Sequence, residues 1–258
     1  MLLRLRVRLP DRPGSLGQVA RTLGVTGADI VQMVVLERIG GRAVDDFTVI
    51  WPAAAPVDRI LAGLGAIPGV AVEGVWRSVG APAVGGADAE LVGQIAANLT
   101  DGIATLVDAV PGLLSADWAA VLVVSADWAR GADGAGPGDS SPAVLYASWQ
   151  APQPLHAPDV TPLRPRAFDG PDGVRYAAAP FGRAGLVLLA ARGGDVGPAG
   201  APGFHVTEID RLAQIVRASA LVLGGRLDQA AGTPGPVHKS VAWPVNVSGN
   251  RLAAVLDS

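Results

Sequence analysis

The chain has 258 residues, of which 50% are hydrophobic and 17% charged, with a formal net charge of −3. That balance describes a globular chain long enough for one or two cores, and it gives no general attraction to a nucleic-acid backbone. The absence of cysteine excludes disulfides, thiol nucleophiles and thiolate metal sites. The N-terminus runs directly into a segment with arginine at every second position, unlike the apolar core of a signal peptide. The longest apolar run, residues 118–124, is far shorter than the roughly 18 residues a membrane span needs. These features predict a cytoplasmic protein with neither membrane nor nucleic-acid partners.

In chain order, Leu3, Leu5, Val7 and Leu9 alternate with Arg4, Arg6 and Arg8, the pattern of a strand with one apolar face. The arginine row reads as a solvated or subunit-facing surface. Leu16, Val19, Ala20 and Leu23 then recur at helical spacing. Ser15 followed by Gln18 fits a capping box, so the helix is expected to start near Ser15. Pro13 stiffens the preceding loop and Gly14 permits a close approach or an unusual backbone conformation. The N-terminus of a helix carries unpaired N–H groups, so a carboxylate can sit there.

Residues 28–39 read as a second strand with apolar residues on both faces: Ile30, Val34 and Leu36 on one, Val31, Met33 and Val35 on the other. A covering helix on one side and a partner subunit on the other would account for this. Gly40-Gly41 predicts a tight hairpin leading to a third strand over 42–51. Val57, Ile60, Leu61 and Leu64 mark a second helix, Pro68-Gly69 ends it, and residues 69–78 supply a last strand. The order βαββαβ implies a four-stranded antiparallel sheet with both helices on one face.

Residues 1–78 resemble an ACT domain, a small ligand-binding module. The resemblance is carried by Asp11-Arg12-Pro13-Gly14-Ser15-Leu16 and by Gly27-Ala28-Asp29-Ile30. It implies a ferredoxin-like fold that holds a small effector, commonly an amino acid, at the first loop. The start of the second strand, often from a neighbouring subunit, completes such a site. The implied ligand-binding residues are Asp11, Arg12, Pro13, Gly14, Ser15, Leu16, Asp29 and Ile30. The effector's carboxylate would meet backbone N–H groups around Gly14 and Ser15, and Asp11 would pair with its ammonium.

A Gly-, Ala- and Pro-rich linker is expected over 79–87, followed by a second domain over 88–228. A long helix is predicted for 88–110, then strands over 118–125 and 143–149 with a flexible tip at 131–141. An irregular proline-rich stretch over 151–172 precedes strands at 174–181 and 185–192. A loose loop at 193–203 leads to a helix from Glu208 to about Leu227, with Thr207 as its N-cap. The element order and this closing helix resemble a GAF-like domain, an α/β sandwich on an antiparallel sheet. The proline-rich stretch replaces the segment in which GAF relatives wall a pocket. The tail, 229–258, contains an alternation at Val241, Trp243 and Val245 that suits an edge strand. The overall fold class is therefore α+β.

No catalytic constellation emerges. His156, His205 and His238 are widely separated and form no metal-ligand spacing. His205 reads as a solvent-facing or hydrogen-bonded residue. Asp45 and Asp46 are adjacent on a strand, so they face opposite sides, and both read as a solvated rim. The sequence predicts no cofactor, no metal and no enzymatic activity. The ACT resemblance implies a regulatory sensor of an amino acid or similar small carboxylate that forms a homodimer and signals to a protein partner. The competing expectation is a dimerisation or protein-interaction module with degenerate pockets.

Overall fold

Alternation in the first segment produces strand β1, Leu2–Pro10, whose Leu3, Leu5, Val7 and Leu9 are turned inward. Helix α1 spans Ser15–Thr26, followed by β2 (Asp29–Ile39), β3 (Arg42–Ile50), helix α2 (Asp58–Gly65) and β4 (Ala71–Arg77). In the computed structural model these four strands form one antiparallel sheet in the order β2-β3-β1-β4. The structure describes residues 1–78, 85–124, 142–158, 164–170, 173–182, 185–193, 200–231 and 238–239. Gly40 and Gly41 both have positive φ, 58° and 74°, as a two-residue turn between twisted strands requires.

Leu5 opposes Phe47 and Leu3 opposes Val49, so these side chains share the face covered by α1 and α2. Val19 and Leu23 from α1, and Ile60 and Leu64 from α2, close that core with no accessible surface. Each such side chain contributes about 2 kcal/mol by leaving water. In β2 the expected alternation breaks, because bulges fall between Ile30 and Gln32 and between Val35 and Glu37. A bulge inverts the phase of the strand, so Ile30, Met33 and Val35 pair with the inward residues Val49, Phe47 and Asp45.

The C-terminal lobe has its own core. Helix α3 is Ala87–Ala97, α4 is Gly102–Leu114, and α5 is Val206–Leu223. The strands are β5 (Trp118–Val123), β6 (Ala143–Ala147), β7 (Arg166–Asp169), β8 (Arg175–Phe181) and β9 (Leu186–Arg192). Helix α6, Arg226–Ala231, and the two-residue strand β10, His238–Lys239, complete the described elements. The second sheet has the order β10-β6-β5-β9-β8-β7, antiparallel except where β10 joins β6. Helices α3, α4 and α5 pack on one face of it. A smaller apolar cluster on the other face includes Leu122, Tyr176 and Leu189, with Ala151 and Leu155 from the proline-rich segment laid over it.

Several expectations need correction here. The single helix expected over 88–110 is two helices. Asn98 and Asp101 interrupt it by bonding to each other (Asn98 Nδ2 to Asp101 Oδ2, 2.8 Å), an alternative that short polar side chains offer the backbone. The closing helix is capped by His205, not Thr207. His205 Nδ1 accepts from the Thr207 N–H, and Glu208 accepts from the His205 N–H at 2.8 Å. That helix stops at Gly224, which has a φ of 52°, and α6 begins a separate turn. The stretch expected to be irregular contains β7, which pairs with β8 at the sheet edge. Within the tail, His238–Lys239 form β10 beside β6, whereas Val241, Trp243 and Val245, which carry the expected edge strand, lie outside the described residues, as do 131–141 and most of the expected linker. Among the described residues, no helix is long and apolar enough to cross a membrane.

The largest correction concerns the arginine row. The face of the first sheet opposite α1 and α2 is covered by the C-terminal lobe. Arg6 is only 3% exposed, and the Arg4 side chain only 12%; Arg8 alone remains largely open, paired with Glu73 at 2.9 Å. Backbone joins the lobes too, through Val75 N–H to Gly200 O at 2.9 Å.

Candidate functional site

The loop between β1 and α1 is shaped by its own backbone bonds. Asp11 N–H donates to Gly41 O at 2.9 Å, which pins the loop to the β2–β3 turn. Ser15 N–H donates to Arg12 O at 3.2 Å, and Gly14 adopts φ 89° as the residue before the helix. The capping box expected of Ser15 and Gln18 does not form. Ser15 lies inside α1 and is buried, and no side chain caps the helix. Ser15 N–H is taken by Arg12 O and Gln18 N–H by Gly14 O, so in the first turn the N–H groups of Leu16 and Gly17 are the ones left to solvent or a ligand, at the positive end of the helix dipole.

A cleft of about 370 Å³ opens beside this helix end. It is lined by residues 9–16 together with Val35, Arg38, Ala43 and Asp45. Arg38 holds Asp11 in a two-pronged pair, with Nη2 to Oδ1 at 2.5 Å and Nε to Oδ2 at 3.1 Å. This hydrogen bonding lowers the Asp11 carboxyl below its ordinary range. Asp45 is different. It is 3% exposed, and its Oδ1 accepts no hydrogen bond. Burial pushes its carboxyl upward, against the opposing charge of Arg38. The cleft thus combines uncapped helix N–H donors with a buried, under-bonded carboxyl group.

Of the residues expected at the site, Asp11, Arg12, Pro13, Gly14, Ser15 and Leu16 all line this cleft. Asp29 and Ile30 do not. They pair with Ile50 and Val49 at the far end of β2, roughly 30 Å along the strand from Arg38 at about 3.3 Å per residue. Asp45 and Asp46, expected on a solvated rim, are both buried. They do face opposite sides of the sheet. The parity of β3 carries the missing signal: Asp45 shares its phase with Ala43, Phe47 and Val49, all of which point into the core.

A second concentration of charge lies between the lobes. Arg6 clasps Asp46 (Nε to Oδ1, 2.8 Å; Nη2 to Oδ2, 2.9 Å) and also donates to Glu208 Oε2 at 2.8 Å. Arg192, fully buried on β9, donates to Glu208 Oε1 at 2.7 Å and to the carbonyls of Leu114 and Ser115. The Trp76 indole lies among Arg4, Arg6 and Arg192, with the Arg192 guanidinium 4.8 Å from its ring centre, and its Nε1 donates to Ser115 O at 3.0 Å. Burial would raise the Glu208 carboxyl, but Arg192 and Arg6 outweigh it and hold the group down at about 2. His205 faces Glu37 of β2 across the same boundary at 3.5 Å. Among the described residues, no group of three or more histidine or carboxylate side chains is arranged to hold a metal ion.

No family model and no curated protein matches this chain. Among solved structures, it is similar to a formyltetrahydrofolate deformylase from Pseudomonas putida KT2440 at 14% identity and a TM-score of 0.26. That similarity covers 38% of this chain and spans only 39% of the deformylase chain. It is also similar to an unknown protein from Galdieria sulphuraria at 12% identity and a TM-score of 0.28, over 86% of this chain and 90% of that one. At such scores neither likeness bears on function.

Proposed function

We propose that this protein is a regulatory sensor that binds an amino acid, or a similar small carboxylate, in the cleft at the β1–α1 loop. The observation that carries this reading is the pairing of the uncapped α1 N-terminus with buried Asp45 across one small cleft. An amino acid presents a carboxylate and an ammonium a few ångströms apart, the complement of those two groups. Asp45 replaces Asp11 as the group facing the ammonium, since Asp11 is engaged by Arg38. The ACT resemblance of residues 1–78 agrees with the βαββαβ order and with the strand order β2-β3-β1-β4.

Dimerisation would bring the remaining expected residues to the site. Strand β2 is an edge strand of 11 residues with Val31, Met33, Val34, Val35 and Ile39 all substantially exposed. Two copies pairing β2 antiparallel would set the start of one strand beside the end of the other. Asp29 of the partner subunit would then lie near Arg38 and the loop. The GAF-like C-terminal lobe would carry the response to a protein partner through the charged junction.

The test is thermal unfolding against each of the twenty amino acids at millimolar concentration. A ligand at about 100 times its Kd adds about 2.7 kcal/mol to the state it binds, moving the midpoint by roughly 5 to 10 °C for a chain of this size. A shift with one or two amino acids, lost in Gly14→Val and in Asp45→Asn, supports the sensor. The filled far face of the second sheet and the apolar β2 edge favour a second reading, a dimerisation module. Dimerisation by sedimentation with no shift from any amino acid would select it.

A further inference from the structure

We propose that the junction between the lobes is a second binding site, for one small carboxylate anion held by Arg4. Three guanidinium groups, Arg4, Arg6 and Arg192, are gathered there around only two carboxylates, Asp46 and Glu208. The cluster carries one positive charge in excess. The unequal share falls on Arg4. Arg6 takes both oxygens of Asp46 and one of Glu208, and Arg192 takes the other Glu208 oxygen and backbone carbonyls. Arg4 is left with the Ser115 hydroxyl and a side-on approach to Asp46 Oδ2 at 3.2 Å, and its Nε is sealed from solvent without an acceptor.

The surrounding charges do not redress this. Arg211 is neutralised by Asp88 in a two-pronged pair at 2.7 and 3.0 Å, and Arg8 by Glu73. Glu37 faces His205 on the β2 side. Burial weakens the hold of Arg4 on its own proton, consistent with a cation short of counter-charge.

Space exists for the missing anion. A cleft of about 230 Å³ runs alongside Arg4, between the first sheet and the ends of α4 and α5. Thr48, Ser78, Ser115 and Thr207 are among its lining residues with Arg211, and Glu208 lines it too, its two carboxylate oxygens already taken by Arg6 and Arg192. This volume is below the range of sites for drug-sized molecules, so it suits a small ion. A planar carboxylate matches the guanidinium fork, and its single charge matches the excess of one. Because the cleft is walled by both lobes, occupancy would be linked to how they dock.

The probe is trifluoroacetate, followed by fluorine NMR on the full chain at constant ionic strength set with chloride. The expected result is broadening of its signal by the wild type, reversed by acetate. Gly14→Val, which disables the β1–α1 cleft, still broadens the signal, and that remaining broadening belongs to the junction. Arg4→Met, which removes the unmatched charge, and Thr48→Leu, which extends a side chain into the cleft while keeping Arg4, each weaken binding at least tenfold. Should Arg4→Met fail to fold, Thr48→Leu alone decides. No broadening by the wild type, no competition by acetate, or undiminished binding in folded Arg4→Met or in Thr48→Leu would overturn the proposal.

Discussion

Arg6 Nη2 and Glu208 Oε2 lie 2.8 Å apart although 202 residues separate them in the chain. One belongs to the outward face of a β-sheet in the N-terminal lobe, the other to the first turn of a helix in the C-terminal lobe. Their contact turns two modules with separate cores into one folded unit. Glu208→Ala leaves Arg6 and Arg192 buried with one carboxylate fewer. Removing one partner of a buried ion pair costs about 3 to 5 kcal/mol. Urea unfolding of the variant is expected to show a loss of that size. A loss below about 1 kcal/mol would mean that the junction contributes little to stability.

The same residue makes the protein sensitive to acid. The Glu208 carboxyl is held at about 2 when folded, against an ordinary value of 4.5. Its folded-state pKa is depressed, so its stabilising contribution is complete above pH 4.5 and is lost as the pH falls towards 2. A difference of this size corresponds to about 3 kcal/mol. The wild type should therefore lose stability more steeply than Glu208→Gln between pH 5 and pH 2, as read from the pH dependence of the urea midpoint. Parallel curves over that interval would contradict the assignment.

Two glycines near the β1–α1 cleft should respond in opposite directions to the same substitution. Gly14 has φ 89° with open space around it, so Gly14→Ala meets no clash but strains the backbone by about 1 to 2 kcal/mol. Gly17 lies in α1 with no unusual φ, and no atom stands within 4 Å of the place a methyl group would take. There Gly17→Ala favours the helix by up to about 1 kcal/mol. Denaturant midpoints of the two variants measure the contrast, and the reverse order would refute the loop conformation.

The lobe boundary also depends on a glycine for close approach. A Cβ at Gly74 would lie 2.5 Å from Pro202 Cδ and 2.9 Å from Pro202 N, so the two backbones must separate to admit it. Gly74→Ala should cost about 1 to 3 kcal/mol, as overpacked sites do. Each lobe keeps its own core, so the thermal transition of this variant should broaden or split in calorimetry. Gly93→Ala in α3, where nothing lies within 4 Å, is the control and should keep the shape of the wild-type transition, with a midpoint at or slightly above it. Identical transitions in both variants would show that the lobes do not rely on this contact.

The β1–α1 loop is legible in the chain because its information is local. Proline, glycine and serine between a period-2 segment and a period-3.6 segment specify a turn, and the cleft forms at that turn. Asp45 is legible in principle, because its parity on β3 matches Phe47 and Val49, but a carboxylate in a core phase contradicts the usual preference for solvent. The bulges in β2 are hidden, since a single inserted residue changes every later side chain's face without changing composition. The split of the expected 88–110 helix turns on a local competition between Asn98 and Asp101 that an apolar stripe outweighs on inspection.

Hydrophobic periodicity and turn chemistry act over a few residues, so the order of residues alone dictates the two modules, most of their elements and the place of the first cleft. The fate of Arg4 and Arg6 is settled at the tertiary level. Alternation puts them on one face of β1, and a charged face ordinarily meets water. Their burial depends on Glu208 and Arg192, which reach them from the other lobe. Ion pairs between residues some two hundred positions apart leave no periodic trace in a chain. They exist only once both cores have formed and brought their charges within a few ångströms of each other.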